Sequence, residues 1–436
     1  MDQTLKKSLK GAMQALLADR IADLPAASDN ATLERLIVST VEAEARRDGR
    51  LSGREVDQLA TELVNEFLHL GPLQPLMADP DITEIMVNGG GFDESGAMRP
   101  HTTWVERNGL LEPRLDVTWD DEAHVRRIMN RILARQGRRI DEANPIEDGS
   151  LSDGSRFNGT LYPVAPDGST FNIRRFRKDQ VNAEQYLAFG TASVDEMNFL
   201  ATLAAAKGSI LISGGTGSGK TTLLNILASF IPAGERIITI EDTCELLVHV
   251  THPHVLRLEG RKANAEGAGE ITLEDHLKSA LRKRPDRIIV GECRGAEAYT
   301  MLEAMNTGHE GSMTTIHAND PIAALRRLVT LVKQGDATLS EDIIKEKISD
   351  AIDCVVQVKR LPDGSRVITQ IEAVGGYVDG VIQHDTLFEY RFGPDAGSRS
   401  AGRHRPLGVQ PADLRRKIVE AGFQYDPEWF LDEEDR

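Results

Sequence analysis

Cysteine is scarce in this sequence: Cys244, Cys293 and Cys354 are the only three among 436 residues. They lie far apart and form neither a paired framework nor a Cys-x-x-Cys metal motif. No apolar run approaches the roughly 20 residues that cross a bilayer, and the stretch MDQTLKKSLKGAMQALLADR lacks the apolar segment of a secretory signal. These absences favour a reducing, cytoplasmic location, with any attachment to the inner face of the membrane made through another component.

The sequence also has no excess of basic residues over acidic ones. The chain has 51 Lys and Arg against 68 Asp and Glu, a formal net charge of −17. Direct binding to nucleic acid or to an anionic membrane is therefore not expected without a local basic patch. The length exceeds the usual size of one hydrophobic core, and a hydrophobic content of 40% is ordinary for packed domains, so we expect two or three domains.

The residue pattern divides the chain into five parts. Residues 1–68 form a helical segment with a capping box at Ser52-Gly-Arg-Glu55, and residues 69–178 mix helices with short strands, as in a small α+β domain. Residues 179–190 connect this domain to residues 191–392, where strands and helices alternate. Such alternation predicts an α/β domain with a mostly parallel sheet and helices on both faces. A tail, residues 393–436, includes a final helix.

The alternating region contains a phosphate-binding loop between a predicted strand and a predicted helix. Its spacing lets the backbone curl so that several N–H groups and the positive end of the helix face phosphates. We expect Lys220 to reach the β- and γ-phosphates and the Thr221 hydroxyl to bind Mg²⁺. A glycine-rich turn without a ligand is the alternative. The predicted ATP-binding residues of this loop are Gly214, Gly215, Thr216, Gly217, Ser218, Gly219, Lys220, Thr221 and Thr222.

Acidic residues follow other predicted strands of the same sheet. Ligands of open α/β sheets bind outside the carboxyl ends of the strands, so these side chains are expected to meet the phosphate loop. Glu292, after the strand RIIV, is predicted to be the catalytic base that activates water. Glu241 and Asp242 follow the strand RIITI, with Glu245 nearby, and are predicted to hold Mg²⁺ together with Thr221 and Glu292. A surface turn for Glu292 and helix capping for the other acids stay open.

Two histidines bracket the strand MTTI, His309 before it and His317 after it. A histidine within reach of a γ-phosphate can report whether ATP or ADP is bound, and we predict this sensor role for both. A zinc pair is conceivable, but no third ligand accompanies them at a recognised spacing. The cluster HVTHPH, around His252, is interpreted as a connector.

Arginines close the small α+β domain. Arg156 and Arg174 lie in two strand candidates, followed by Arg175 and Arg177. The negative charge that develops on a transferred phosphoryl group calls for arginine, whose fork contacts two oxygens at once. From these residues alone, a solvated basic edge strand and a catalytic role are equally compatible with the sequence.

These motifs resemble those of the type II/type IV secretion ATPases, most closely the CpaF-type ATPases that power tight-adherence (Flp) pilus assembly. The phosphate loop, the acidic "Asp box", the Walker B-like segment and the "His box" appear in that family's order. Matching stretches span roughly residues 70–375 and include LGPLQPLMADPDITEIMVNG, FNIRRF, SGGTGSGKTTLLN, RIITIEDTCEL, ALRKRPDRIIVGECRGAEA, MNTGHEGSMTTIHAND and AIDCVVQVKRLPDGSR. The insertion at 89–99 and the stretch 397–407 match no motif of the family.

The resemblance implies a hexameric ring in which a small α+β domain precedes a RecA-like ATPase domain. ATP then lies between the two domains, and hydrolysis moves one against the other to drive pilin-like subunits through a platform protein of the inner membrane. By motif, Arg156 and Arg174 match arginines that reach the nucleotide, and Arg175 follows as a further nucleotide contact. Two other functions stay in view: a conjugation-type or DNA-translocating ATPase of the same architecture, and a scaffold that binds ATP without hydrolysing it.

Overall fold

A computed structural model describes residues 3–22, 29–107, 109–134, 136–175, 181–263, 267–393 and 402–432. The chain divides into two compact units, Met1–Phe176 and Arg177–Arg436. None of the described helices is both long enough and apolar enough to cross a membrane.

The first unit contains the predicted helical segment and the predicted α+β region. Its helices begin with polar caps: the Asp29 side chain accepts the Thr32 N–H, and the predicted capping box of Ser52 and Glu55 is confirmed. A first helix, also within the predicted helical segment 1–68, precedes them. The helices are α1 (Gln3–Ala22), α2 (Asn30–Asp48), α3 (Gly53–Leu68), α4 (Gln74–Ala78) and α5 (Glu122–Ala134).

A six-stranded antiparallel sheet completes this unit, in the order β3-β2-β1-β6-β5-β4. The two edge strands, β3 and β4, were not predicted because they are short and mostly exposed or half-buried. The 89–99 insertion is a turn closed by a bridge between Phe92 and Met98. The strands are β1 (Ile82–Asn88), β2 (Thr102–Arg107), β3 (Leu110–Pro113), β4 (Ile146–Ser150), β5 (Arg156–Thr160) and β6 (Thr170–Arg174).

The second unit is built on a nine-stranded sheet in the order β15-β14-β13-β12-β7-β11-β10-β8-β9. Strands β7 to β12 pair in parallel, and β13 to β15 extend the sheet antiparallel. The strands are β7 (Ile210–Gly214), β8 (Ile237–Glu241), β9 (Val255–Glu259), β10 (Arg287–Val290), β11 (Met313–Ile316), β12 (Cys354–Arg360), β13 (Arg366–Val378), β14 (Val381–Arg391) and β15 (Arg403–Pro406).

Helices cover both faces of the parallel strands, as predicted, and bury two large apolar cores. Ile212 on β7 belongs to one core and its neighbour Leu211 to the other, because successive side chains of a strand point to opposite faces. The helices are α6 (Ala183–Ala188), α7 (Val194–Ala205), α8 (Lys220–Ala228), α9 (Val248–Thr251), α10 (Leu273–Ala280), α11 (Glu297–Asn306), α12 (Pro321–Gly335), α13 (Glu341–Ala351) and α14 (Ala412–Glu420).

Two predicted boundaries differ from the structure. The connector 179–190 contains α6, which Asn182 and Gln185 cap, while residues 179–180 lie outside the described part. The tail from 393 belongs to the second unit: β15 pairs with β14, and Phe430 is buried against Phe199 and Phe388. Of the unmatched stretch 397–407, residues 402–407 are described, and they include this strand.

Candidate nucleotide site

The phosphate loop connects β7, which ends at Gly214, to α8, which begins at Lys220. A Cβ atom at Gly214 would lie 2.3 Å from the carbonyl oxygen of Val358, so the sheet leaves room only for glycine. Gly219 has φ 98°, a left-handed conformation that favours glycine. The predicted loop therefore has the compact backbone that a phosphate cradle requires.

Lys220 is folded back onto this loop. Its Nζ donates to the carbonyl oxygens of Gly214, at 2.9 Å, and Gly215, at 3.0 Å, and the residue is only 7% exposed. Burial lowers the pKa of Lys220, and the carboxylate of Glu292 opposes that shift. A cation held on two carbonyl groups can exchange them for phosphate oxygens without leaving the site.

The strands that neighbour β7 on one side of the sheet bring further polar groups to the same edge, as predicted. Nζ of Lys220 lies 3.4 Å from both ring nitrogens of His317, which follows β11. Nε2 of His317 lies 3.2 Å from Oε1 of Glu292, which follows β10. The ends of three adjacent strands thus place a cation, an imidazole and a carboxylate in contact.

Glu292 is held as a carboxylate. Burial raises its pKa, but the hydrogen bond from Arg294 at 2.7 Å and the charges of Arg294, His317 and Lys220 outweigh burial, and the pKa is lowered. The pKa of His317 is also lowered, first by burial and then by the charge of Lys220. A carboxylate beside a neutral imidazole is a pair that can accept and relay a proton.

Glu241 is the last residue of β8 and is 4% exposed. Its Oε1 accepts the N–H groups of Glu245 and Leu246, both at 2.9 Å, in the loop before α9, so the carboxylate holds this loop and does not cap the helix itself. Its Oε2 is buried and has no hydrogen-bond partner among the described residues. Burial raises the pKa of Glu241 to about 7. A buried oxygen without a donor is compatible with a cation or an ordered water that completes the site.

Asp242 differs from Glu241 in its surroundings. Its side chain is exposed and lies 3.7 Å from Nη1 of Arg294. Arg294 therefore connects Asp242 to Glu292 across the mouth of the site. Among the described residues no group of three or more His, Cys, Asp and Glu is arranged to hold a metal, which gives the zinc alternative no support.

His309 lies at the other end of β11. It precedes Met313, which pairs with Ile210 at the start of β7, whereas His317 follows Ile316 near Gly214. A four-residue strand separates the two histidines by about 13 Å along the sheet, at roughly 3.3 Å per residue. The structure does not place His309 beside the phosphate loop of its own chain, in contrast to the sensor role predicted for it.

In the first unit, Arg156 and Arg174 lie directly opposite each other on β5 and β6. Directly opposed residues of an antiparallel pair share one face, so two like charges lie side by side, partly balanced by Glu84 at 3.9 Å from Arg174. Arg175 does not share this arrangement. Its Nη1 donates to the carbonyl oxygens of Leu76 in α4, of Asp79, and of Ile82 in β1, so this part of the guanidinium is bound within its own unit, whereas the sequence predicted a nucleotide contact.

Two residues near the loop were not predicted from the sequence. Nε of Arg366, at the start of β13, donates to the carbonyl oxygen of Gly217 at 3.1 Å. Nε2 of Gln357 on β12 donates to the carbonyl oxygen of Ala318, the residue after His317, at 3.3 Å. Both residues lie in the stretch VVQVKRLPDGSR, which resembles the family, but the resemblance assigned no role to its individual residues.

Comparison with known proteins identifies the family. Residues 79–380 match the family described as "Type II/IV secretion system protein", which is more than half of the chain. The chain belongs to the type II/IV secretion system ATPase family. The match includes the phosphate loop and both strand-end residues, Glu292 and His317.

Curated relatives of this secretion ATPase agree with the assignment. A Mycobacterium tuberculosis protein named provisionally for conjugal transfer is 34% identical over 333 residues, covering 75% of this chain and 90% of the relative. VirB11 of Rhizobium radiobacter is 31% identical over 323 residues, covering 67% of this chain and 90% of VirB11. Among solved structures, the pilus retraction motor PilT with bound ADP aligns with a TM-score of 0.51 at 21% identity, covering 71% of this chain and 83% of PilT. That likeness concerns the fold, a RecA-like ATPase domain preceded by an α+β region.

Proposed function

We propose that this secretion ATPase hydrolyses ATP at the loop Gly214–Thr221 and uses the energy to power pilus assembly or protein secretion. The contact of Lys220, His317 and Glu292 at one sheet edge supports the proposal, because it puts a phosphate-binding cation next to a base and a proton relay. The reaction is the hydrolysis of ATP by water to ADP and phosphate.

The phosphate loop binds the triphosphate. The backbone N–H groups from Gly215 to Thr222 and the N-terminal end of α8 supply partial positive charge, and Lys220 moves from the carbonyl groups of Gly214 and Gly215 to the β- and γ-phosphates. Hydroxyls of Thr216 and Ser218 add short-range donors. This partial positive charge is the reason that a nucleotide polyphosphate is the proposed ligand of the loop.

Glu292 orients and deprotonates the attacking water. Its lowered pKa keeps it unprotonated at neutral pH, which a base requires. His317, in contact with both Glu292 and Lys220, distinguishes ATP from ADP because both neighbours shift when the γ-phosphate leaves. Arg294 holds the second oxygen of Glu292 and keeps the carboxylate aimed into the site.

The residues present fit a magnesium ion that accompanies the nucleotide. Thr221 provides a hydroxyl, and the buried Oε2 of Glu241 provides an oxygen that has no donor among the described residues. Asp242 and Glu292 belong to the predicted set, but both carboxylates pair with Arg294, and among the described residues the three acids do not form a metal-holding group. When bound, Mg²⁺ neutralises charge on the β- and γ-phosphate oxygens.

Arg156 and Arg174 are proposed to contribute charge to the transition state from the first unit. Placing two guanidinium groups opposite each other costs repulsion, and an anionic ligand removes that cost. His309 lies at the far end of β11, and this position does not support a contribution to the nucleotide site of its own chain.

The proposed machine is a homohexamer at the cytoplasmic face of the inner membrane, of the CpaF type that assembles Flp pili. It would act on a membrane platform protein and, through it, on pilin. Support comes from the run of family motifs across residues 70–375 and from the match over residues 79–380. Phosphate release by the purified chain with Mg²⁺ and ATP, together with its mass in solution, tests the proposal: no release, or a monomer under all nucleotide conditions, would contradict it.

A conjugation-type ATPase is the second candidate, and the names of the relatives favour it. Several are conjugal transfer proteins, among them TrbB of Rhizobium radiobacter, 37% identical over 245 residues. The net charge of −17 argues against direct contact with DNA. Adding duplex or single-stranded DNA to the same phosphate assay separates the candidates, because only a DNA-handling motor is expected to be stimulated.

A further inference from the structure

The turn between β12 and β13 lies against the phosphate loop. Val358 on β12 pairs with Gly214 in the parallel register, and Arg366 at the start of β13 pairs with Arg360 at the end of β12. Both arginines approach the loop: Nη1 of Arg360 lies 3.7 Å from the position of a Cβ atom on Gly217. This hairpin belongs to the same unit as the loop, so no other subunit is needed to bring it there.

Arg366 makes two contacts with the loop backbone. Its Nε donates to the carbonyl oxygen of Gly217 at 3.1 Å. Its Cδ lies 3.0 Å from the position that a Cβ atom would take on Gly219, so the arginine stem covers the bare Cα of that glycine. One side chain therefore touches the loop at two glycines with left-handed backbones, φ 70° at Gly217 and φ 98° at Gly219.

The hydrogen bond to Gly217 fixes the direction of a whole peptide group. In a trans peptide the C=O and the following N–H point in opposite directions. Holding the Gly217 carbonyl towards Arg366 therefore turns the Ser218 N–H to the inner side of the loop, where it reaches the carbonyl oxygen of Gly215 over a long 3.4 Å. A phosphate oxygen is a stronger acceptor for that N–H than a carbonyl group at this distance.

We infer that Arg366 is a positioning residue for the phosphate loop: it anchors the Gly217–Ser218 peptide so that the Ser218 N–H faces the nucleotide phosphates. This inference rests on the proposed nucleotide site. Arg366 begins a 13-residue strand in the middle of the sheet, which gives the anchor a rigid base. Glycines alone leave the loop many conformations, and an external anchor reduces the entropy lost when phosphates bind.

The test compares Arg366→Gln and Arg366→Lys with a matched control, Arg391→Gln, whose guanidinium pairs with Glu389 on its own strand β14. Steady-state ATPase kinetics and hydrogen exchange of the loop amides without nucleotide are measured for each. Because preorganisation acts on substrate and transition state alike, we expect KM for ATP to rise about fivefold in Arg366→Gln with kcat within about twofold, which corresponds to roughly 1 kcal/mol. Exchange at residues 215–219 should become faster, and the control should match the wild type.

Arg366→Lys separates anchoring from charge. Lysine keeps the positive charge but lacks the planar N–H that reaches the Gly217 carbonyl, so an anchoring role predicts a defect close to that of Arg366→Gln. Full recovery of KM by lysine, or unchanged KM and loop exchange in Arg366→Gln, would overturn the inference. A wild-type protein that neither binds nor hydrolyses ATP would instead contradict the proposed function, so the two failures are distinguishable.

Discussion

Oε1 of Glu292 lies 3.2 Å from Nε2 of His317, although the helix α11 lies between β10 and β11 in the sequence. Parallel pairing of these adjacent strands brings their carboxyl ends together, and Lys220 completes the contact from the phosphate loop. Lys220 and Glu292 shift each other's pKa, and both shift the pKa of His317, so the three side chains respond as a group when phosphate charge enters.

Replacing Glu292 with glutamine should slow hydrolysis while nucleotide binding persists. The amide keeps the shape of the side chain but cannot accept the proton of water, and a general base typically contributes about 100-fold or more to the rate. Single-turnover phosphate release and equilibrium binding of ATP measure the two effects. Glu274→Gln is the control, since Glu274 pairs with Lys278 on the exposed side of α10. Equal phosphate release by Glu292→Gln and the wild type would remove Glu292 from the role of base.

Replacing Lys220 with alanine should abolish turnover by weakening nucleotide binding. The ammonium group is the cation closest to the loop carbonyls, and a charge-assisted contact of this kind contributes enough to weaken binding about tenfold or more. Binding of a fluorescent ATP analogue and the steady-state rate are the measurements. Lys278→Ala, on an exposed helix surface, controls for loss of a lysine. Retained hydrolysis at normal affinity would contradict the assignment of Lys220.

The phosphate-loop edge of the sheet was predictable because its strands have a strong local signal. β7, β8, β10 and β11 are fully buried strands rich in β-branched residues, each followed by glycine or a polar residue. The contact of Arg366 with Gly217 had no comparable signal, because 149 residues separate the two and only strand pairing brings them together. Sequence patterns indicate which residues form strands, and they say little about which strands become neighbours.

His309 and His317 show the same limit of prediction from sequence patterns. Their common motif suggested a common role, yet one precedes β11 and the other follows it. A strand extends by about 3.3 Å per residue, so even four residues are enough to carry His309 away from the edge where His317 lies. Arg175 illustrates a related limit: proximity to Arg174 in sequence does not determine which backbone carbonyls its guanidinium meets.

Replacing Arg174 with alanine should leave nucleotide affinity largely intact and slow turnover at least about tenfold. A contact that forms mainly in the transition state lowers kcat and kcat/KM together. The measurement is a kcat and KM comparison with Arg114→Ala, another first-unit arginine, which pairs with Asp116. Turnover and affinity both equal to the wild type would show that Arg174 is only a solvated residue of β6.

A buried histidine of the first unit should make its stability depend on pH. His124 lies on α5, with Nε2 3.0 Å from Glu66 of α3 and Nδ1 3.3 Å from Asp120, which also faces Lys10 of α1. Burial lowers the pKa of His124, but the hydrogen bonds and charges of the two carboxylates outweigh burial, and the pKa is raised above 6.5. The network therefore joins the helical segment to the α+β region through one imidazole.

The sign of the effect follows from that raised pKa. A folded state that binds the proton more tightly gains stability below pH 6.5 and loses it as the pH rises through the folded pKa of His124. Thermal unfolding of the full chain should show the wild type losing stability as the pH rises above about 6.5, the ordinary histidine pKa. His124→Gln should flatten this dependence, whereas His69→Gln, at an exposed position of the same unit, should keep it. Parallel pH profiles for the wild type and His124→Gln would mean that the imidazole is neutral in the folded protein, and the two carboxylates would then have to be balanced by Lys10 and Arg127 instead.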